Sequence, residues 1–264
     1  MTIGISLKVD EGIVLAADTT TVMTWRDPFL GGAGPREQTV SRSKIHALSE
    51  EIRMGLLSWG AGSISKRSIG DWITLFVSDL KKNVRNLGRL RVSELANMLG
   101  GFFQGRYLAT FRGSALKPDF GIAVAGYSNS DRLPELWAVT AEGGDWSGAT
   151  EVRPKTGFGV DWFGMSDSGQ RLVSKADPRL HEASRKRRSG SSQGNRIVGA
   201  VQEELHAGLW DPAMPIQVAL DVAAALLQTR IDLFKDFPRI PLIDGCVEFA
   251  SITRLEGFQW VMRH

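Results

Sequence analysis

Thr2 stands directly after Met1. A small second residue is what methionine removal requires, so the mature chain can begin with a free threonine. That residue would carry a hydroxyl nucleophile and an α-amine of pKa near ~7.7–8.0. The amine can serve as general base for its own hydroxyl, directly or through a water. Such chemistry needs a nearby cation, which keeps the amine unprotonated and steadies negative charge developing on the hydroxyl oxygen. A carboxylate must in turn hold the cation. Asp18 and Lys44 are placed to do this, because each lies at the end of a strand that can pass beside Thr2. Singly, each has an ordinary reading: Thr2 starts a strand, Asp18 ends one, and Lys44 is a hairpin cation. The three in register point to acyl chemistry. His46, His181, His206 and His264 show no ligand spacing and Cys246 is the single cysteine, so no metal, cofactor or internal disulfide is expected.

The elements that position these residues read as follows. Ile3, Ile5 and Leu7 alternate with Gly4, Ser6 and Lys8, the pattern of a half-buried strand, and Asp10-Glu11-Gly12 turns it into a second. That second strand, Ile13 to Ala17, is continuously apolar, as a strand covered on both faces would be, and Asp18 ends it. Thr19 to Ser43 is polar and reads as a long irregular excursion. A second hairpin follows, Lys44 to Leu48 and Ile52 to Trp59, and Gly60-Ala61-Gly62-Ser63 leads into helix. Ile69, Trp72, Ile73, Phe76, Val77 and Leu80 share one helical face, and Ser93 to about Phe111 is a second helix. Strands are expected at Phe120–Gly126 and Leu136–Thr140, with a third running into Trp162-Phe163-Gly164. Helices are expected near Ser168–Ser174, at Ile197–Leu209 and from Pro215 to Ile231. The chain then returns to strand at Cys246–Thr253 and Phe258–Met262. Runs of strands and runs of helices, instead of alternating βαβ units, predict an α+β domain. No glycine-rich phosphate loop sits in a βαβ setting, which disfavours nucleotide-binding folds.

The 264 residues are 42% hydrophobic and 23% charged, enough for a sizeable core and too apolar for a disordered chain. The net charge of +3 owes much to Arg185-Lys186-Arg187-Arg188 within a basic segment, 184–195, that reads as a mobile loop. So small an excess does not imply a nucleic-acid partner. No stretch reaches the ~18–20 apolar residues of a membrane helix, and Lys8, Asp10 and Glu11 interrupt the position of a signal-peptide core. The expectation is a soluble, cytoplasmic protein.

Met1-Thr2-Ile3-Gly4-Ile5-Ser6-Leu7-Lys8, continuing through Gly12-Ile13-Val14-Leu15-Ala16-Ala17-Asp18 and later Lys44-Ile45, resembles the proteasome β-subunit-type N-terminal nucleophile (Ntn) hydrolases. It is similar in particular to the short bacterial proteasome-like proteins. The resemblance is strong over 2–18 and 44–62, fair over the helix pair and the two middle strands, and weak after 155. It implies a four-layer α/β/β/α sandwich of two antiparallel sheets, with 1–264 as one domain. It sets Thr2 on the nucleophile, Asp18 on the catalytic aspartate and Lys44 on the lysine. Gly60 falls on the glycine whose N–H forms the oxyanion hole, with Trp59 or Gly62 a slip away. Asp232, just past Thr229-Arg230-Ile231, falls on a downstream aspartate, and the serine partner falls on Ser166 or Ser168.

Two features depart from the family pattern. Thr20 stands where the family usually has Arg, and the segment between Asp18 and Lys44 is long. A gapped alignment sets Thr2 on a later family threonine and leaves no nucleophile. The activity implied is threonine-type hydrolysis of amide bonds, peptide bonds foremost, after Met1 removal. The alternatives are an inactive scaffold on the same fold or an Ntn acyl transferase. Assembly into a homo-oligomeric ring or helical stack is also implied. Phe102, Phe103 and Phe111 on one helix, more than one face can bury, add to that expectation.

Overall fold

The structure is a computed structural model and describes residues 2–25, 36–114, 117–129, 131–164, 211–235 and 246–263. The chain opens with β1 (Ile3–Lys8), β2 (Gly12–Asp18), β3 (Thr20–Trp25), β4 (Arg36–Ser41), β5 (Ile45–Ala47) and β6 (Met54–Gly60). The short β7 (Ser63–Ile64) and β8 (Arg67–Ser68) lead into α1 (Ile69–Asn83) and α2 (Val92–Phe111). Then come β9 (Phe120–Gly126), β10 (Glu135–Glu142), β11 (Asp145–Trp146), β12 (Thr150–Arg153) and β13 (Gly159–Gly164). After α3 (Ile216–Lys235), the chain closes with β14 (Val247–Thr253) and β15 (Gly257–Met262). No helix among the described residues is long and apolar enough to cross a membrane.

Two antiparallel sheets carry the architecture. One has the order β13-β1-β2-β14-β15; the other runs β11-β10-β9-β6-β5, with β12 also pairing β10. Three hydrophobic clusters cover them. Leu56, Ile122 and Val124 pack with Ile73, Phe76, Leu95 and Leu99 of α1 and α2. Ile13, Leu15 and Ala17 meet Leu57 and Ala123 of the other sheet. Val14 and Ala16 meet Ala219, Ala223 and Leu227 of α3. Strand β2 is therefore apolar from Ile13 to Ala17 because its alternate residues serve two different interfaces, as its continuous pattern predicts.

Strand β1 differs from expectation. Its polar positions are as buried as its apolar ones, because Gly4, Ser6 and Lys8 face the second sheet instead of solvent. A Cβ on Gly4 would lie 2.9 Å from Leu57 Cδ2 of that sheet. Lys8 is tolerated there because Nζ donates to the carbonyls of Pro154 (2.8 Å) and Lys155 (2.7 Å).

The excursion expected at Thr19–Ser43 is also corrected. Its two arms form a hairpin, β3 with β4, in register from Thr20↔Ser41 to Trp25↔Arg36. The alternation Thr20, Val22, Thr24 is rich in β-branched residues and fits a strand despite its polarity. The helices expected at 168–174 and 197–209, the basic loop 184–195, and Ser166 and Ser168 lie outside the described residues.

Candidate functional site

Asp18 is the hub. It ends β2 fully buried, and its carboxylate accepts three N–H donors. Oδ1 takes the backbone N–H of Ile3 at 2.7 Å and the Lys44 ammonium at 2.8 Å. Oδ2 takes the backbone N–H of Thr20 at 3.1 Å. Lys44 Nζ also donates to the Thr20 carbonyl at 2.7 Å. The lysine and the peptide joining Thr2 to Ile3 thus converge on one oxygen. Burial lowers the Lys44 pKa from its usual 10.5, and the Asp18 charge opposes that shift.

Thr2, Lys44 and Gly60 line the same cleft, of about 590 Å³. Its walls include Thr21, His46, Ser58, Trp59, Gly62, the start of α1 at Ile69–Asp71, Trp260 of the closing strand and Arg263 just after it. Gly60 lines the cleft, and Gly164 abuts Thr2. Gly164 pairs with Ile3 at φ +82°, and a Cβ there would lie 2.2 Å from the Thr2 carbonyl oxygen, so only glycine lets β13 pass so close to Thr2. Gly60, at φ +81°, would set a Cβ 2.1 Å from the carbonyl oxygen of Asp119. The next amide, Ala61, is already committed to that carbonyl at 2.8 Å, so it is not available to a ligand.

Thr20 replaces the arginine that the resemblance leads one to expect, and its main chain takes part in the site. Its N–H and its C=O each hold one member of the Asp18–Lys44 pair, a task indifferent to side-chain identity. Asp232 lies elsewhere. It is exposed on α3, where Gln228 Nε2 donates to its Oδ1 at 2.9 Å, and it is not among the residues lining the cleft. Asp161 forms a bidentate pair with Arg153 (2.9 and 2.8 Å) and is not among the residues lining the cleft.

Glu248 escaped the sequence reading, and His46 was considered there only as a metal ligand. Glu248, on β14, is fully buried, and its Oε1 accepts the backbone N–H groups of both Lys44 (2.6 Å) and Ile45 (2.7 Å). The only sequence signal was a lone acid inside the apolar run Val247 to Ile252, which reads equally well as a solvent-facing residue. His46 Nε2 lies 3.2 Å from Ser58 Oγ. Burial, with the Arg263 cation adding to it, pushes the imidazole pKa from 6.5 to about 4, so it is neutral in the cleft wall at physiological pH.

The chain is similar to a Gly-1 mutant of Anbu from Hyphomicrobium sp. strain MC1, at 12% identity and a TM-score of 0.56, covering 99% of this chain and 86% of that one. It is equally similar to Anbu, an ancestral beta-subunit, from Yersinia bercovieri: 12% identity, TM-score 0.56, 100% of this chain and 88% of that one. The fold is the one these Anbu structures share.

No protein-family model matches the chain, and no curated protein matches it. These findings correct the family assignment drawn from the Thr2–Asp18 and Lys44 motifs. Membership among the proteasome β-subunit-type hydrolases does not stand, because the likeness is to Anbu structures and, at 12% identity, is one of fold alone.

Proposed function

We propose that the protein is a threonine-type N-terminal nucleophile hydrolase of amide bonds, peptides foremost, active once Met1 is removed. The observation that carries this reading is the sharing of Asp18 Oδ1 between Lys44 Nζ and the Ile3 N–H, at the edge of a cleft that Thr2 lines. In this reading the Thr2 hydroxyl attacks the carbonyl carbon while the Thr2 amine takes the hydroxyl proton. The Lys44 cation disfavours protonation of that amine and favours negative charge on the attacking oxygen. The Gly60 N–H is the donor to the oxyanion. The amine then returns the proton to the leaving nitrogen, and water releases the acyl group. Asp232 has no part in the proposal, since it does not line the cleft.

The same reading takes the chain as one cytoplasmic unit, layered helix, sheet, sheet, helix, that assembles with copies of itself as a ring or helical stack. The placement of the three clusters on either side of and between the sheets supports the layering.

The test begins with intact mass, which reports whether Met1 is lost. The processed protein is then mixed with p-nitrophenyl acetate. Acetyl transfer to Thr2 should release one p-nitrophenolate per chain in a burst, and peptide mass mapping should find the acetyl group on Thr2. Thr2→Ala should abolish the burst, and Lys44→Ala should slow it at least about a hundredfold. A Thr2→Ala protein with an unchanged burst refutes the hydrolase reading, and retained Met1 supports the inactive scaffold instead.

A further inference from the structure

We propose that Glu248 is the positioning residue for Lys44, holding the lysine's main chain while Asp18 holds its ammonium; the inference rests on the hydrolase reading above. Lys44 lies one residue before β5, which is an edge strand of its sheet among the described residues. Its N–H and that of Ile45 turn to the same oxygen, Glu248 Oε1, at 2.6 and 2.7 Å. Successive amides aimed at one point form a small anion-binding concavity. Here the anion is a side chain from the opposite sheet.

The arrangement ties Lys44 to one sheet at both ends. Asp18 ends β2, and Glu248 sits on its neighbour β14, where Val247 pairs with Asp18 and Glu248 with Ala17. The two carboxylates therefore stand one register step apart on adjacent strands. The remaining oxygen, Oε2, lies 2.8 Å from Ser43 Oγ. That hydroxyl also lies 2.7 Å from the Ile45 carbonyl, so its single proton serves one acceptor at a time. On the other side of Lys44, its carbonyl accepts the Ser58 N–H at 2.8 Å.

Such restraint matters to the proposed chemistry because a displacement of about 1 Å in a reacting group costs on the order of a hundredfold in rate. A lysine side chain has four rotatable bonds, so fixing the ammonium alone leaves the backbone from which it reaches undetermined. Glu248 does not touch the reacting atoms. It acts through the place at which Lys44 begins.

The experiment uses the processed full-length protein and the p-nitrophenyl acetate burst, separating amplitude, which counts competent chains, from the burst rate constant, which reports geometry. Glu248→Gln keeps an acceptor oxygen for both backbone N–H groups, and its amide can donate to Ser43 Oγ. Its rate constant should stay within about threefold of wild type. Glu248→Ala removes the acceptor, and its rate constant should fall by about ten- to a hundredfold at the amplitude of its folded fraction. A Glu248→Ala protein that loses amplitude but keeps the wild-type rate constant overturns the assignment, leaving Glu248 a purely structural residue. If Glu248→Ala does not fold, the decision passes to Glu248→Gln, and a tenfold slower rate constant there overturns hydrogen-bond positioning. A wild-type protein that is not acetylated on Thr2 overturns the hydrolase reading itself, and this proposal with it.

Discussion

Replacing Asp18 with Asn tests the centre of the site, because the change is isosteric and its consequences can be counted. Asp18 accepts from Ile3 N, Thr20 N and Lys44 Nζ. Asparagine has one acceptor oxygen. If that oxygen keeps the two donors on Oδ1, the new NH₂ faces the Thr20 N–H from the position of Oδ2, donor against donor at 3.1 Å. A buried N–H left without an acceptor costs about 1–3 kcal/mol. The larger effect is on Lys44, whose ammonium side chain is 7% exposed and loses its carboxylate counter-charge. Breaking a buried ion pair from one side costs about 3–5 kcal/mol. The two contributions overlap, so the total expected is about 3–5 kcal/mol, or a Tm lower by roughly 6–20 °C for a chain of this size.

The pH dependence has a definite sign. Burial already lowers the Lys44 pKa below 10.5, and loss of the Asp18 charge lowers it further. The folded variant then carries its penalty below the folded pKa, where Lys44 is charged, and sheds it as pH rises toward the unfolded value. The gap in Tm between Asp18→Asn and wild type should therefore narrow from pH 7 to pH 10. Adding Lys44→Met should restore part of the loss at pH 7, since a neutral pair replaces an unpaired charge. Differential scanning calorimetry of the four proteins at both pH values decides the matter. A Tm change under about 2 °C, or a double variant that loses the sum of the two single losses, would refute the reasoning.

Three further outcomes follow from the structure. The His46 ring should titrate near pH 4 in a ¹H–¹³C NMR series, so stability falls as pH drops from 6.5 toward 4, where only the unfolded chain takes up the proton; His46→Gln should flatten that slope. Burial lowers Lys8 from 10.5 to about 8. Wild-type stability should then rise relative to Lys8→Met between pH 8 and pH 10, read as the difference between two chemical-denaturation series, and a parallel pair of curves would count against it. Gly164→Ala should displace the Thr2 carbonyl, which a Cβ would approach to 2.2 Å; the expected result is a loss of about 1–3 kcal/mol in stability together with a slower Thr2 burst, whereas an unchanged burst would mean that β13 moves instead.

How much of this was legible in the residues varies with the range of the interaction. Strand β2 and Asp18 could be read because a continuous apolar run with a terminal acid is a local pattern. The faces of α1 could be read for the same reason: Ile69, Ile73, Phe76 and Leu80 are its buried residues. The β3–β4 hairpin could not, since its threonines and glutamine look like loop when judged by polarity alone, and pairing is decided between arms ten residues apart. Glu248 was invisible for a different reason. Its partners are the main-chain N–H groups of residues 44 and 45, about two hundred positions earlier, and main-chain donors leave no trace in a sequence. Lys8 misled because period-two alternation tells which residues share a face and not what lies opposite that face.

The same distinction bears on how a motif-bearing chain can share a fold with structures to which it is 12% identical. Of the bonds described around Lys44, only those to the Asp18 and Glu248 side chains depend on residue type. The Thr20 carbonyl accepts from the ammonium, the Ser58 N–H donates to the Lys44 carbonyl, and Lys44 and Ile45 present backbone N–H groups to Glu248. These main-chain contacts need the two sheets to face each other correctly. This is why Thr20 can stand where an arginine was expected without removing a contact from the pair. It also locates the vulnerable side chains: changes at Asp18 and Glu248 should be felt at Lys44, whereas a change at Thr20 that preserves the strand should not.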